Sequence, residues 1–134
     1  MRCEALPLLQ FDLLAADWNR LAARYRELLA GLPLELPVER PPAFHVYHQF
    51  TVRVARRDAV ARRLAELGIG TTVHYPMTIP AQPLFCPLDG AAKVAAEFPE
   101  STRAAREVLS LPCFPELTDA ELAEVAAALR IALG

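Results

Sequence analysis

The chain reads as an α/β protein, an α+β sandwich in which a small, mostly antiparallel sheet is covered by helices. Three observations predict this. Residues His45 to Val54 alternate, with Val46, His48, Phe50, Val52 and Val54 on one side and His45, Tyr47, Gln49, Thr51 and Arg53 on the other. That period of two, in a run rich in β-branched and aromatic residues, is the pattern of a half-buried strand. The segments around it carry apolar residues at three- and four-residue spacing, one face of a helix. Glycine and proline then cut the chain into the order helix, strand, helix, strand, helix, short strand, helix, which suits a single sheet layer under helices.

The elements follow in order. Arg2 to Asp12 carries Pro7 and reads as a short or broken helix. The first clear helix runs from about Leu13 to Leu29, with Leu14, Trp18, Leu21, Ala22, Tyr25, Leu28 and Leu29 on one face, and Gly31 then Pro33 stop it. Residues 1–33 thus form a leading helical region and 44–134 the core of one domain. Pro37, Pro41 and Pro42 make 37–43 a loop, and the alternating strand follows. A helix is expected from about Asp58, as N-cap, to Leu67, with Gly68 at its C-terminal end. Thr71 to Tyr75 reads as the next strand, kept extended by Pro76 and opening into a loop with Pro76, Pro80, Pro83 and Pro87. Pro99 suits the first turn of a helix to about Leu109, and Ser110-Leu111-Pro112 is a short extended piece. Thr118 and Glu121 form a capping box for a last helix whose stripe is Leu122, Val125, Ala126, Leu129 and Leu133.

At 134 residues the chain is large enough to bury a core without staples. A hydrophobic share of 54% beside 22% charge suggests a surface normally covered by a partner. A net charge of −2 leaves no footprint for nucleic acid. Arg56-Arg57 and Arg62-Arg63 lack interleaved aromatics and read as a solvated helix face. Cys3, Cys86 and Cys113 are odd in number and widely spaced, which argues against a disulfide framework or a zinc site and for reduced thiols. No apolar run reaches membrane-span length and the N-terminus lacks a signal-peptide h-region, so a soluble, cytoplasmic protein is expected.

The polar aromatic residues carry the chemistry. His45, Tyr47 and His48 open the long strand, and His74 with Tyr75 closes the next. If the two strands are neighbours, a His and a Tyr from each share a cleft suited to hydrogen bonding sugar hydroxyls or phosphates. His48, on the other face, also fits a core or interface histidine. No acid accompanies the three histidines, so no metal site is expected. There is no glycine-rich phosphate loop or GxSxG elbow, and Ser101 and Ser110 lie outside any nucleophile motif. Lys93, the only lysine, sits in Gly90-Ala-Ala-Lys-Val-Ala-Ala, a poor setting for an activated amine, and no catalytic residue is assigned.

Several motifs then converge. His45-Val-Tyr-His-Gln-Phe-Thr-Val-Arg-Val, Gly68-Ile-Gly-Thr-Thr-Val-His-Tyr-Pro, Gln82-Pro-Leu-Phe, Phe98-Pro, Glu107-Val-Leu-Ser-Leu-Pro and Pro115-Glu-Leu-Thr are collinear. Together with Trp18-Asn-Arg and Ala23-Arg-Tyr, they resemble the C-terminal small domain of the DegT/StrS-type nucleotide-sugar aminotransferases. The resemblance implies the small domain of an aspartate-aminotransferase-like, fold type I enzyme. It further implies pyridoxal phosphate as the cofactor that moves an amino group onto a nucleotide-linked keto sugar. The Schiff-base lysine, the acid at the pyridine nitrogen and most phosphate contacts belong to the large domain, so no cofactor is expected in this chain alone. His45, Tyr47, His48, His74 and Tyr75 are the positions that match substrate-holding segments. The implied partners are a large-domain polypeptide or a homo-oligomer, and a nucleotide sugar. The chain is expected to be inactive alone, as a split or truncated enzyme, with a non-catalytic binding or dimerisation module as the alternative.

Overall fold

The computed structural model describes residues 8–85 and 90–134. Helix α1 spans Leu8–Leu28, strand β1 Phe50–Arg53, helix α2 Arg57–Glu66, helix α3 Ala91–Glu97, helix α4 Pro99–Glu107, strand β2 Val108–Leu111 and helix α5 Asp119–Leu133. A 3₁₀ turn at Ile79–Ala81 interrupts the proline-rich loop. Cys3 and Cys86 lie outside the described residues, as does the Arg2 to Pro7 part of the expected broken helix. Its end, from Leu8, is the start of a continuous α1.

β1 and β2 pair antiparallel, with Phe50 opposite Leu111 and Val52 opposite Leu109. Single bridges widen this ribbon on both edges, Glu35 to Arg53 beside β1 and Thr72 to Ser110 beside β2. Phe50, Val52, Leu109 and Leu111 are buried with Leu21, Tyr25 and Leu29 of the α1 region, Val60 and Leu64 of α2, and Leu122, Val125 and Leu129 of α5. The α1 residues recur at i, i+4 and i+8, so the helix turns one stripe inward. α5 packs on both α1 and α2. Its N-terminus carries the expected capping box: Thr118 Oγ1 accepts from the Glu121 N–H and the Glu121 carboxylate accepts from the Thr118 N–H at 2.8 Å. Gly31 and Gly68, past the ends of α1 and α2, take φ of +78° and +80°, conformations that L side chains rarely adopt.

Four expectations are corrected. The long strand is only Phe50–Arg53, because Tyr47 adopts φ +49° and its N–H donates to His45 Nδ1 at 2.9 Å. That local bond competes with a sheet ladder and breaks the alternation. Residues 71–75 join the sheet through Thr72 alone, and they pair with β2, which separates them from β1. Asp58 is not the N-cap of α2; that position is Arg56, in left-handed geometry with no side-chain cap bond. Finally, helix α4 ends at Glu107, and the chain turns extended at Val108 rather than at Ser110.

The Arg53 side of β1 carries an ion-pair network. The Glu107 carboxylate accepts from Arg53 at 2.9 Å and from Arg103 at 3.2 Å, and Arg103 reaches Glu35 at 2.8 Å. Desolvation would raise the Glu107 pKa, but the hydrogen bonds from the two guanidinium groups outweigh it and hold the carboxyl below its ordinary value. A carboxyl with a depressed folded-state pKa stabilises the fold above its unfolded-state value, and this contribution disappears as pH falls through the folded value. The melting temperature of Glu107→Gln is therefore expected to lie below that of the parent at neutral pH. The gap should close as both are titrated into the acid range below ordinary carboxylate values. A gap that stays constant with pH would show that the ionised carboxylate contributes nothing.

Candidate functional site

The edge of β2 and the segment before β1 enclose a groove of about 410 Å³. Its floor is Ser110, whose backbone exchanges hydrogen bonds with Thr72 at 2.8 and 3.1 Å and whose hydroxyl pairs with that of Thr51 at 2.9 Å. His48 and His74 line the groove together with Gln49, Thr72 and Cys113. His48 meets the ring of Trp18 on α1 edge-on, with centroids 6.3 Å apart and an interplanar angle of 88°. Helix α1 thus touches this imidazole, while the residue stays exposed.

Of the five candidate residues, only His48 and His74 line this groove. His45 is exposed on the surface and stacks on Tyr47 with centroids 4.2 Å apart. Tyr47 is 2% exposed, its hydroxyl accepts from Arg26 and its ring packs beside Phe50, so it is a core side chain. Tyr75 is 79% exposed and lines a different hollow, of about 620 Å³, with Met77, Thr78, Ile79, Pro80, Gln82, Phe98 and Ser101. Gln82 and Phe98 stand out in the sequence only as motif positions, and nothing there assigns them to a site. Ser110 and Cys113 carry no local signal, because the sheet pairing brings them to the histidines.

Cys113 is half-buried, and its thiol donates to the Tyr47 carbonyl at 3.7 Å. Burial pushes its pKa up to about 11. It is therefore a neutral thiol near pH 7, a hydrogen-bonding wall of the groove and a weak nucleophile.

Lys93 is 79% exposed and pairs with Glu97 one helical turn on, at 3.9 Å. A solvated, ion-paired ammonium is the opposite of the desolvated amine that Schiff-base chemistry needs. The described residues therefore do not fit a covalently held pyridoxal phosphate. Nor do they hold any cluster of three or more His, Cys, Asp or Glu able to bind a metal ion. No described helix is long and apolar enough to cross a membrane. The groove can donate and accept hydrogen bonds, which suits binding and orienting a polar ligand.

Residues 5–130 match the model of the DegT/DnrJ/EryC1/StrS aminotransferase family. The chain is 39% identical over 113 residues to the UDP-N-acetyl-3-dehydro-alpha-D-glucosamine 3-aminotransferase of Acidithiobacillus ferrooxidans, covering 84% of this chain and 29% of that protein. It is 40% identical over 119 residues to the dTDP-3-amino-3,4,6-trideoxy-alpha-D-glucose transaminase of Streptomyces venezuelae, covering 85% of this chain and 31% of that one. Among solved structures, S. venezuelae DesV in complex with a ketimine intermediate superposes with a TM-score of 0.82 at 36% identity, over 94% of this chain and 33% of the other. DesI in the presence of its TDP-sugar product gives a TM-score of 0.76 at 25% identity, again over 94% and 33%. The chain thus spans about a third of the length of the relatives it matches.

Proposed function

The chain belongs to the DegT/DnrJ/EryC1/StrS aminotransferase family, and from that premise we propose that it works as the small domain of a pyridoxal-phosphate-dependent nucleotide-sugar aminotransferase. The observation that carries this reading is that His48 and His74 line one groove together with Thr72 and Ser110. Their imidazoles hydrogen-bond the hydroxyls or phosphate oxygens of a nucleotide sugar, and the Trp18 ring that meets His48 edge-on helps to orient it. In such an enzyme the cofactor carries the amino group between donor and keto sugar. That chemistry falls to the larger portion of the fold, because Lys93 is solvated. These 134 residues therefore bind and orient, and do not transaminate by themselves. Leu84 and Phe85, 84% and 61% exposed, offer the apolar surface on which the larger portion is seated. The names of the relatives favour a UDP- or dTDP-linked sugar.

The test is a titration with dTDP-glucose or UDP-N-acetylglucosamine, followed through the nitrogen resonances of the three imidazoles. His48 and His74 are expected to shift together and His45 to stay in place. Silence of both groove histidines up to millimolar ligand, with the fold intact, would sink the proposal.

A further inference from the structure

We infer that the small cavity between the proline-rich loop and helices α3 and α4 binds a short monocarboxylate, an aliphatic acid of a few carbons with no amino group. The inference goes beyond the nucleotide-sugar reading and does not depend on it. The cavity holds about 160 Å³. That is far more than the roughly 10–15 Å³ one water needs, and less than the roughly 300 Å³ at which drug-sized sites begin. It therefore fits a ligand of few heavy atoms.

Its polar lining is two hydroxyls and a guanidinium, from Thr78, Thr102 and Arg106. Both threonine Oγ1 atoms are buried and have no hydrogen-bond partner among the described residues. Thr78 stands at the N-cap of the 3₁₀ turn, where a threonine hydroxyl ordinarily accepts from the backbone, yet it makes no cap bond. Thr102 lies inside α4 with Arg106 one turn on, so the two are neighbours on one face of the helix. Arg103 of the same helix is committed to Glu35 and Glu107, whereas Arg106 forms no ion pair among the described residues. Unpaired buried hydroxyls are costly, and two of them beside an uncommitted guanidinium make a donor set that a carboxylate satisfies.

The rest of the lining chooses among anions. Pro76, Met77, Ala81, Val94, Ala95 and Ala105 are apolar and suit a short carbon chain better than the hydrated oxygens of phosphate. No acidic residue lines the cavity, so the ammonium of an amino acid finds no partner there. The loop, α3 and α4 each supply a wall, so a bound acid joins the three and stabilises the fold by mass action.

The experiment titrates the chain with butyrate, alanine and inorganic phosphate at constant ionic strength. It reads the methyl resonances of Thr78, Thr102 and Ala105, the Arg106 Nε signal and the melting temperature. Butyrate is expected to move all four signals saturably and to raise the melting temperature, while the His48 and His74 imidazoles stay in place. Alanine and phosphate should bind at least about tenfold more weakly, because each carries charge the cavity leaves unpaired. Arg106→Gln should weaken butyrate at least about tenfold, the loss of a charged hydrogen bond. Arg106 is exposed, so this variant should melt with the parent when butyrate is absent. Thr102→Val keeps the side-chain shape, and should weaken butyrate at least about threefold through the lost hydroxyl. Without butyrate it should melt no lower than the parent, because the hydroxyl then has no partner to lose. A Thr102→Val variant that melts lower without butyrate would show the hydroxyl already satisfied by water, and would overturn the inference. Unchanged butyrate affinity in Arg106→Gln would overturn it too. So would butyrate that leaves the four signals still, shifts only the groove imidazoles, or is matched by alanine or phosphate.

Discussion

Phe50→Ala is expected to lower the unfolding free energy by about 3–5 kcal/mol, the cost of emptying a buried aromatic site. Phe50 is wholly buried. Its ring lies 4.8 Å from that of Tyr25 and 6.1 Å from that of Tyr47. Three elements therefore meet on one side chain: β1, α1 and the segment carrying His48. Neither neighbour can collapse into the space. Tyr25 is tethered by its hydroxyl, which donates to the Pro112 carbonyl at 2.7 Å, and burial raises its phenol pKa, so the bond stays protonated throughout the usable range. Tyr47 is held through Arg26. The cavity term should thus be close to full. For a domain whose whole stability is about 5–15 kcal/mol, this leaves a marginal fold. Urea denaturation measures it: the midpoint should fall with the slope unchanged, and Phe50→Leu should recover much of the loss. A loss below about 1 kcal/mol would mean that Tyr25 and Tyr47 repack freely.

Such packing also separates what was legible in the sequence from what was not. The capping box at Thr118 and the glycines after α1 and α2 are local signals, each completed within a few residues, and each appears in the structure where the sequence places it. The helical stripes of α1 and α5 were equally readable, since period 3.6 needs no partner. Helix α3 was not. Ala91–Glu97 has no side-chain cap bond and almost no polar contrast, and it forms against α4 and the 3₁₀ turn. The partner of residues 71–75 is likewise a tertiary decision, made by Ser110 on β2.

The site was legible in its residue types and illegible in its arrangement. Alternation from His45 to Val54 puts His45 and Tyr47 on one face and His48 on the other. A single change of backbone region at Tyr47 ends that alternation, just as a one-residue slip in a strand exchanges its faces. The cleft expected from His45, Tyr47, His74 and Tyr75 is therefore not formed, and His48 and His74 line one groove instead. Nothing in the residue order announces the turn, because a tyrosine at positive φ is uncommon and is held there by core packing and the His45 bond.

Arg57→Ala is the second large perturbation, with an expected loss of about 2–4 kcal/mol, from hydrogen bonds of a charged donor and the buried carbonyls they leave behind. By local rules this arginine is misplaced. It is the first residue of α2, where the helix dipole disfavours a cation. It is nevertheless only 7% exposed. One Nη donates to the carbonyls of Ala105 and Val108, at 3.3 and 3.0 Å, and Nε pairs with Asp58 at 2.5 Å. Those carbonyls belong to the last turn of α4 and the start of β2, where a helix end favours positive charge. Arg57 thus joins the start of α2 to the end of α4, and fixes where β2 departs toward Ser110 and the groove. The expected reading of the patch as a solvated helix face holds for Arg56, Arg62 and Arg63, which are exposed, and fails at Arg57. Arg57→Met, which keeps much of the aliphatic stem, separates packing from hydrogen bonding. Arg57→Lys is expected to fall between Met and the parent, because an ammonium lacks the fork that meets two carbonyls and a carboxylate at once. If chemical denaturation shows Met as stable as the parent, the guanidinium bonds contribute nothing net and the role of Arg57 is packing alone.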